Sequence, residues 1–252
     1  MNFHGKRVLV TGGARGIGLA VAIAFAQAGA RVALTYKNSQ ALALAALAGL
    51  QGGPHLAFQS DVADPTAAEQ AVHRTVQELG GLDILVNNAG VFSLHDPSVV
   101  SYAAWQEAWR AHIDTNLLGT ANMSYCAARH MMAAGGGRII MIGSRSAFRG
   151  APDYPAYGAS KAAMTALGQS LAEALAPHRI FVGIVAPGYV ETDLVRAALA
   201  GPHGDAIRAE SPLNRVAQPE EVAYTVLFLA SAGAEFTTGT VIDVNGASYL
   251  RS

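Results

Sequence analysis

The residues of this 252-residue chain best suited to catalysis are a tyrosine and a lysine four positions apart, Tyr157 and Lys161. They bound the segment Tyr-Gly-Ala-Ser-Lys at the start of a predicted helix, on which positions i and i+4 face the same way. The Lys161 ammonium then lies near the Tyr157 phenol, favours the phenolate and lowers a pKa that is ordinarily about 10. A tyrosine that acts as a general acid near neutral pH needs such a shift. The alternative is that the tyrosine and the lysine are an ordinary pair on a helix surface, without a catalytic role.

A serine hydroxyl is expected to join that pair. Ser144 ends the fifth predicted strand, 13 residues before Tyr157. Its hydroxyl can therefore meet the same carbonyl oxygen as the tyrosine.

A glycine-rich turn follows the first predicted strand, in the segment Thr-Gly-Gly-Ala-Arg-Gly-Ile-Gly at residues 11–18. Gly12 allows the tight turn, Gly16 lets the backbone approach a pyrophosphate, and Gly18 lets the helix pack closely on the sheet. The anion then binds the free N–H groups of a helix N-terminus. A purely structural turn is the alternative, but the position after the first strand favours a dinucleotide site.

The end of the second predicted strand indicates which dinucleotide binds. An acidic residue there would bind the ribose 2′-hydroxyl of NAD and repel a 2′-phosphate. Tyr36 and Lys37 occupy this position, and Arg15 lies in the glycine loop. Two cations without a carboxylate favour NADP(H) over NAD(H), unless both are ordinary solvated surface charges.

Two further strand ends agree with a dinucleotide. Asp61 and Val62 follow the third strand, where they can hold an adenine, although Asp61 can equally cap the next helix. Asn-Asn-Ala-Gly at 87–90 follows the fourth strand, where small residues such as Ala89 and Gly90 let a cofactor pass the sheet edge.

Short apolar runs alternate with longer segments of helical period and position these residues. Continuous apolar strands indicate burial on both faces, and therefore a parallel sheet with helices on each side. The prediction is one domain over residues 1–252 with the α/β, doubly wound Rossmann fold and seven parallel strands. The predicted strands are Arg7–Thr11, Arg31–Thr35, His55–Gln59, Asp83–Val86, Arg138–Ile142, Ile180–Val185 and Thr240–Val244. The predicted helices are about Ile17–Ala28, Ser39–Leu50, Thr66–Leu79, Tyr102–Ala134, Ala156–Ala176 and Pro219–Ala230.

Composition excludes several classes of protein. Apolar residues make up 51% and charged residues 14%, with a net charge of −1, which argues against disorder and against a nucleic-acid binder with a basic stripe. The single cysteine, Cys126, allows no internal disulfide and no structural zinc site, and no metal is expected. The N-terminus has no signal-peptide core, and no apolar stretch reaches membrane-spanning length. We expect a soluble, cytoplasmic protein.

The sequence resembles the short-chain dehydrogenase/reductase family over about residues 3–249. The matching motifs are TGGARGIG (11–18, with Ile17), DV (61–62), NNAG (87–90), Asn116, Ser144, YGASK (157–161) and PGYVET (187–192). The resemblance implies that Tyr157 is the general acid/base, that Lys161 lowers its pKa and binds the nicotinamide ribose, and that Ser144 orients the substrate. It further implies that Asn116 anchors a proton-relay water, a residue otherwise interpreted as a helix kink or cap. Contacts to the nicotinamide half are implied for Asn88, Val190 and Thr192.

Within the family, the chain is similar to bacterial 3-oxoacyl-[acyl-carrier-protein] reductases. Those enzymes dock an acidic carrier protein on basic residues near the site. Here Arg129 is present, but Ala133 and Ala134 stand where Lys is frequent and Glu173 stands where Arg is frequent. Electrostatic steering of an acidic partner is therefore weakened, and docking of an acyl carrier protein is doubtful.

The leading interpretation is an NADPH-dependent reductase of a ketone, either of 3-oxoacyl type or a small carbonyl compound. An alcohol, sugar or steroid dehydrogenase working oxidatively is the second, and a non-catalytic dinucleotide sensor is the third. A homotetramer is expected, built from the helix faces around Tyr102–Ala134 and Ala156–Ala176. On the substrate side, the stretch Glu191–Ser211 is typical of a mobile lid, and His95 is either a plain loop residue or a pocket residue.

Overall fold

Seven strands form a single sheet in the computed structural model, which describes residues 1–251. All neighbouring strands are parallel, in the order β3-β2-β1-β4-β5-β6-β7. The strands are β1 Arg7–Val10, β2 Arg31–Tyr36, β3 Leu56–Gln59, β4 Ile84–Asn87, β5 Gly137–Ile142, β6 Ile180–Pro187 and β7 Val241–Val244. The predicted seven-stranded parallel sheet is confirmed. Ser252, the last residue of the predicted domain, lies outside the described residues.

Helices cover both faces of the sheet, as the continuous apolar strands predict. Helices α1, α2 and α9 pack with the sheet in one apolar cluster, and α3, α5 and α6 pack on the opposite face in a second cluster. The helices are α1 Gly16–Gln27, α2 Gln40–Gly49, α3 Pro65–Leu79, α4 Tyr102–His112, α5 Thr120–Ala134, α6 Pro155–Leu175, α7 Asp193–Ala200, α8 Gly204–Ala209 and α9 Pro219–Ala230. None of the helices in this described part of the chain has the length and apolar character of a membrane span.

The predicted long helix over Tyr102–Ala134 is interrupted. A π-helical segment, Ile113–Gly119, joins α4 to α5. One wider turn changes the direction in which side chains point, and such turns are frequent at functional sites. The predicted lid stretch Glu191–Ser211 contains two short helices, α7 and α8, which the sequence analysis did not predict.

The strand order reverses direction beside β1, which places the functional segments together. Strand β1 pairs with β2 on one side and with β4 on the other. In parallel sheets, the carboxyl ends of the strands at such a reversal border a crevice in which ligands bind. The glycine loop after β1 and the Asn-Asn-Ala-Gly segment after β4 therefore meet at that crevice.

Candidate active site

Tyr157 and Ser144 lie together at the carboxyl edge of the sheet. Tyr157 is the third residue of α6, and Ser144 lies two residues beyond β5. Burial raises the pKa of Tyr157, and a hydrogen bond with the Ser144 hydroxyl opposes that rise. Ser144 Oγ also accepts a hydrogen bond from Ser146 N at 3.1 Å, which fixes its position. The two hydroxyls expected to meet one carbonyl oxygen are thus adjacent.

Lys161 is buried one helical turn after Tyr157. Its Nζ donates to the Ile142 carbonyl at 2.7 Å and lies 5.9 Å from the centroid of the Tyr157 ring. Burial lowers the pKa of Lys161 to about 8. The pKa of Tyr157 is raised, because desolvation outweighs the hydrogen bond with Ser144, and the lowering expected from Lys161 stays a prediction.

Asn116 lies in the π-helical segment and is fully buried. Its Oδ1 accepts from Val91 N at 2.8 Å, while its Nδ2 donates to the Val91 carbonyl and to Ser160 Oγ at 3.1 and 3.0 Å. The side chain therefore joins the loop after β4 to helix α6, which carries Tyr157 and Lys161. The residues themselves did not predict this role. The spacing of apolar residues around Asn116 fits a continuous α-helix and does not reveal the π-helical turn that directs its side chain inward.

The glycine loop fits a pyrophosphate. A Cβ at Gly12 would lie 3.0 Å from Ala89 Cα, and one at Gly16 would lie 3.3 Å from Thr192 Cγ2, so side chains here would fill the space between the loop and the opposite wall. Arg15 is the first flanking residue of α1 and makes no side-chain cap, and the first turn of this 12-residue helix holds no acidic residue. Its first N–H groups and its dipole are therefore available to an anion.

Thr11 and Asn88 tie the glycine loop to the end of β4. The Thr11 Oγ1 accepts from Asn88 N and Ala89 N, both at 3.0 Å. The Asn88 amide donates to the carbonyls of Thr11 and Gly12, also at 3.0 Å. The side chain of Asn88, expected at the nicotinamide, is thus engaged by the loop itself. Thr11 belongs to the glycine-rich motif, for which no role was predicted at this position. Its place directly after β1 is the sequence feature that could have indicated this role.

The other predicted cofactor residues lie in the segments that follow β3, β4 and β6. Val190 is buried and bridges to Ala217, while Val62 packs against Gly119. A Cβ at Gly90 would lie 3.1 Å from Asn116 Oδ1 and 3.7 Å from Lys161 Nζ, so this glycine lies directly beside two of the predicted catalytic residues.

The corner beyond β2 carries paired charges. Lys37 Nζ lies 2.6 Å from Asp61 Oδ2, in a pair whose side chains are 56% and 33% exposed. Asp61 Oδ1 also accepts from Ala63 N at 3.1 Å, within a turn. The alternative that Asp61 caps the next helix is wrong, because Asp64 caps α3 and accepts from Thr66 N and Ala67 N. Arg15, in the glycine loop, is exposed. The expectation of two cations without a carboxylate is wrong at this corner, because the Asp61 carboxylate pairs with Lys37. Arg15, Lys37 and Asp61 together carry a net charge of +1.

An ion-pair cluster lies beside Ser144 on the substrate side. Arg145 is buried, and its Nη1 donates to Glu210 Oε2 and to Ser248 Oγ, both at 2.6 Å. Arg149 donates to the same Glu210 oxygen at 3.0 Å. Because Glu210 directly follows α8, this cluster fastens the predicted lid to the loop after β5. No sequence pattern predicted the pairing, since 65 residues separate Arg145 from Glu210.

The chain is similar to known proteins over nearly its whole length. A family model described as "Enoyl-(Acyl carrier protein) reductase" matches residues 12–247. The chain is 38% identical over 250 residues to the 3-oxoacyl-[acyl-carrier-protein] reductase of Escherichia coli, covering 99% of this chain and 100% of that protein. It is 37% identical to the acetoacetyl-CoA reductase of Rhizobium meliloti, covering 96% and 98%. A short chain dehydrogenase from Burkholderia cenocepacia, solved in complex with NADP, superposes with a TM-score of 0.90 at 37% identity, covering 98% and 99%.

The fold, the crevice and these similarities define an oxidoreductase that binds a nicotinamide dinucleotide. The chain belongs to the short-chain dehydrogenase/reductase family.

Proposed function

We propose that this protein reduces a ketone of 3-oxoacyl type, or another small carbonyl compound, to a secondary alcohol with NADPH. The observation that carries this proposal is the hydrogen bond between Tyr157 and Ser144, at the same edge of the sheet as the glycine loop. The two hydroxyls converge where a carbonyl oxygen can accept two hydrogen bonds, which stabilises the charge that develops on that oxygen. One hydride and one proton convert the ketone to the alcohol.

Each catalytic side chain has a distinct task in this proposal. NADPH, when bound, supplies the hydride. Tyr157 donates the proton to the carbonyl oxygen, and Ser144 holds that oxygen in place. The Lys161 ammonium stabilises the phenolate that remains and binds the nicotinamide ribose, while Asn116 anchors the water through which the proton is replaced.

The cofactor is proposed to be NADP(H). The pyrophosphate would lie on Gly12, Gly16, Ile17 and Gly18 at the start of α1. Arg15 and Lys37 would bind the 2′-phosphate, because no acidic residue ends β2. Asp61 and Val62 would border the adenine, and the nicotinamide half would lie beside Asn88, Ala89, Gly90, Val190 and Thr192.

A turnover assay tests the reaction class. Loss of NADPH absorbance is measured with a panel of ketones, β-ketoesters and quinones, and gain of absorbance is measured with NADP and alcohols, sugars and steroids. We expect reduction of at least one β-ketoester. Turnover only of alcohols would favour the oxidative dehydrogenase instead, and tight NADPH binding without any turnover would favour the dinucleotide sensor.

Free ketones and short thioesters are the proposed substrates, rather than acyl chains on a carrier protein. Ala133, Ala134 and Glu173 are all exposed, so the surface that would meet an acidic carrier lacks cations at these positions. Opposite-charge steering can change association rates by tenfold or more and weakens with salt. The relatives include a reductase of each thioester class.

A charge-reversal variant sharpens this test. The ratio kcat/KM is measured for acetoacetyl-CoA and acetoacetyl-carrier protein across a salt series, in the wild type and in Glu173→Arg. We expect the CoA thioester to be preferred by the wild type, and Glu173→Arg to raise only the rate with the carrier, most strongly at low salt. A wild type that prefers the carrier more than tenfold at low salt contradicts the proposal.

The assembly is proposed to be a homotetramer of this single domain in the cytoplasm. Exposed apolar side chains on the proposed helix faces support it, since Tyr102 is 75% and Tyr125 is 67% exposed. Light scattering at micromolar concentration should give about four times the 26.0 kDa chain mass. A species of chain mass alone would contradict the tetramer.

A further inference from the structure

The N-terminus of the catalytic helix α6 lacks a cap of its own. Tyr154 flanks the helix without a side-chain hydrogen bond that caps it, and Pro155 at the first position has no N–H. Tyr157 N and Gly158 N donate to the Tyr154 carbonyl at 3.1 and 3.3 Å. Ala156 N is therefore the one first-turn donor of α6 that needs an acceptor from elsewhere in the described chain.

His95 supplies that acceptor from 61 residues away. Ala156 N donates to His95 Nε2 at 2.9 Å. His95 N in turn donates to the Asp153 carbonyl at 2.8 Å, so this residue is joined to the segment before α6 through both its backbone and its ring. The residue lies in a loop, as one of the two interpretations of the sequence has it, but the loop is buried here and His95 is only 1% exposed.

The hydrogen bonds determine the protonation state of the His95 ring. His95 Nδ1 lies 2.8 Å from the Ser93 carbonyl, which can only accept, so Nδ1 carries the proton. The other nitrogen, Nε2, must then be unprotonated to accept from Ala156 N–H. Only the neutral ring satisfies both contacts, because a protonated Nε2 would face another donor.

The surroundings of His95 connect it to Tyr157. Its ring lies 5.1 Å from the ring of His112, which lies 6.0 Å from the ring of Tyr157. His112 Nδ1 is 2.6 Å from the Ala108 carbonyl, and burial lowers the pKa of His112. The titratable groups of the elements packed here are His112 in α4, Tyr157 and Lys161 in α6, Tyr154 and Asp153 before α6, and Asp96 in the same loop, whose carboxylate binds Ser98.

We propose that His95 is a positioning residue for Tyr157 and that only its neutral form holds the catalytic helix in register. Protonation of His95 Nε2 would remove the acceptor for Ala156 N–H, one residue before Tyr157. The neutral His112 and the cationic Lys161 offer no compensating negative charge to an imidazolium. The enzyme should therefore lose turnover as the pH falls, although a tyrosine that donates a proton is not itself impaired by acid.

Three variants test this inference, which rests on the proposed role of Tyr157. In His95→Gln, Oε1 can replace Nε2 as the acceptor but does not titrate. In His95→Phe, the ring volume stays and the acceptor is lost. In His112→Leu, the neighbouring imidazole is removed without a change to the Ala156 contact.

The pH dependence of kcat for ketone reduction gives the first measurement. In the wild type and in His112→Leu, we expect kcat to fall as the pH is lowered, which gives the profile an acid limb. In His95→Gln this fall should be absent, and kcat at pH 7.5 should stay within about threefold of the wild-type value. His95→Phe should lose about tenfold in kcat with NADPH affinity within about twofold of wild type. An acid limb that persists in His95→Gln, or that vanishes only in His112→Leu, overturns the inference.

Amide hydrogen exchange gives a measurement that needs no turnover. In the intact enzyme, exchange of the peptide containing Ala156 should be at least tenfold faster in His95→Phe than in the wild type, and unchanged in His95→Gln. After correction for intrinsic exchange, its protection in the wild type should fall with acid. If these exchange rates are found but no ketone is reduced, the proposed function is wrong, and the capping of α6 by His95 is still supported. Equal protection in all variants rejects the cap, whatever the activity.

Discussion

The proposed catalytic centre and the corner beyond β2 lie along the same edge of the sheet but are held by different kinds of contact. At the centre, buried side chains bind the backbone: Lys161 donates to the Ile142 carbonyl, and Asn116 pairs with both backbone groups of Val91. At the corner, Lys37 and Asp61 bind each other while remaining partly in solvent.

The difference shows that buried contacts fix the positions of side chains, whereas exposed ion pairs mainly set the local charge. A buried side chain whose partners are backbone atoms has one geometry, which the fold determines, and an unpaired group there costs about 1–3 kcal/mol. An exposed ion pair contributes about 0–1 kcal/mol, so its members exchange partners readily. Changes at the centre should therefore act on rate and stability, and changes at the corner on cofactor affinity and its salt dependence.

The largest effect is expected at the centre. Tyr157→Phe removes the proposed proton donor and should lower kcat about 10²–10⁴-fold, with NADPH affinity close to wild type. Tyr154→Phe, three residues earlier, is the matched control and should stay within about fivefold. Steady-state kinetics and fluorescence titration with NADPH measure both. Turnover by Tyr157→Phe near the wild-type rate would assign the proton to another group.

The buried lysine gives a pH-dependent stability. Burial lowers the pKa of Lys161 from 10.5 to about 8, so the folded chain binds fewer protons than the unfolded chain between these values. Stability conferred at this residue therefore rises as the pH rises through that window. Relative to Lys161→Met, the cofactor-free wild type should gain about 1–3 kcal/mol in unfolding free energy between pH 7.5 and 10.5. Urea denaturation at both pH values measures this, and parallel changes in the two proteins would contradict it.

The sheet was predictable from the sequence because burial on both faces leaves a continuous apolar run for each strand. The centre was largely predictable as well: the strand that ends near Ser144 and the helix that starts near Tyr157 must meet at one edge of a parallel sheet. The doubly wound topology then places the glycine loop opposite them.

Other features depend on tertiary contacts that have no local pattern. The π-helical turn at Asn116 is a one-residue change in helical period, and the period of α4 and α5 continues on either side. His95 caps a helix 61 residues away. The two short helices α7 and α8 lie in a segment whose glycines and proline indicate a loop.

Cofactor preference tests the corner. Charge-assisted bonds to the 2′-phosphate contribute about 1.5–3 kcal/mol each, so NADPH should bind more than tenfold more tightly than NADH. Arg15→Ala and Lys37→Ala should each reduce this ratio, and added salt should reduce it in the wild type. Asp61→Asn, which frees Lys37 from its partner, should not reduce it. Dissociation constants from titration measure the ratio, and equal or tighter NADH binding would reject the assignment.

The smallest expected difference compares two ion pairs of equal length. Lys37–Asp61 and Arg145–Glu210 both measure 2.6 Å, but the Arg145 side chain is 7% exposed and that of Lys37 is 56% exposed. Glu210→Gln leaves a buried guanidinium without its carboxylate and should cost about 1–2 kcal/mol of unfolding free energy.

Asp61→Asn should cost less than about 1 kcal/mol, because solvent replaces the lost partner of Lys37. The expected difference between the two variants is thus about 1 kcal/mol, and it should survive in high salt, since screening weakens exposed pairs far more than buried ones. Urea denaturation of both variants at low and high salt gives the numbers. Equal losses of unfolding free energy at low salt would show that burial does not distinguish the two ion pairs. Lys37–Asp61 would then stabilise the corner as much as Arg145–Glu210 stabilises the predicted lid.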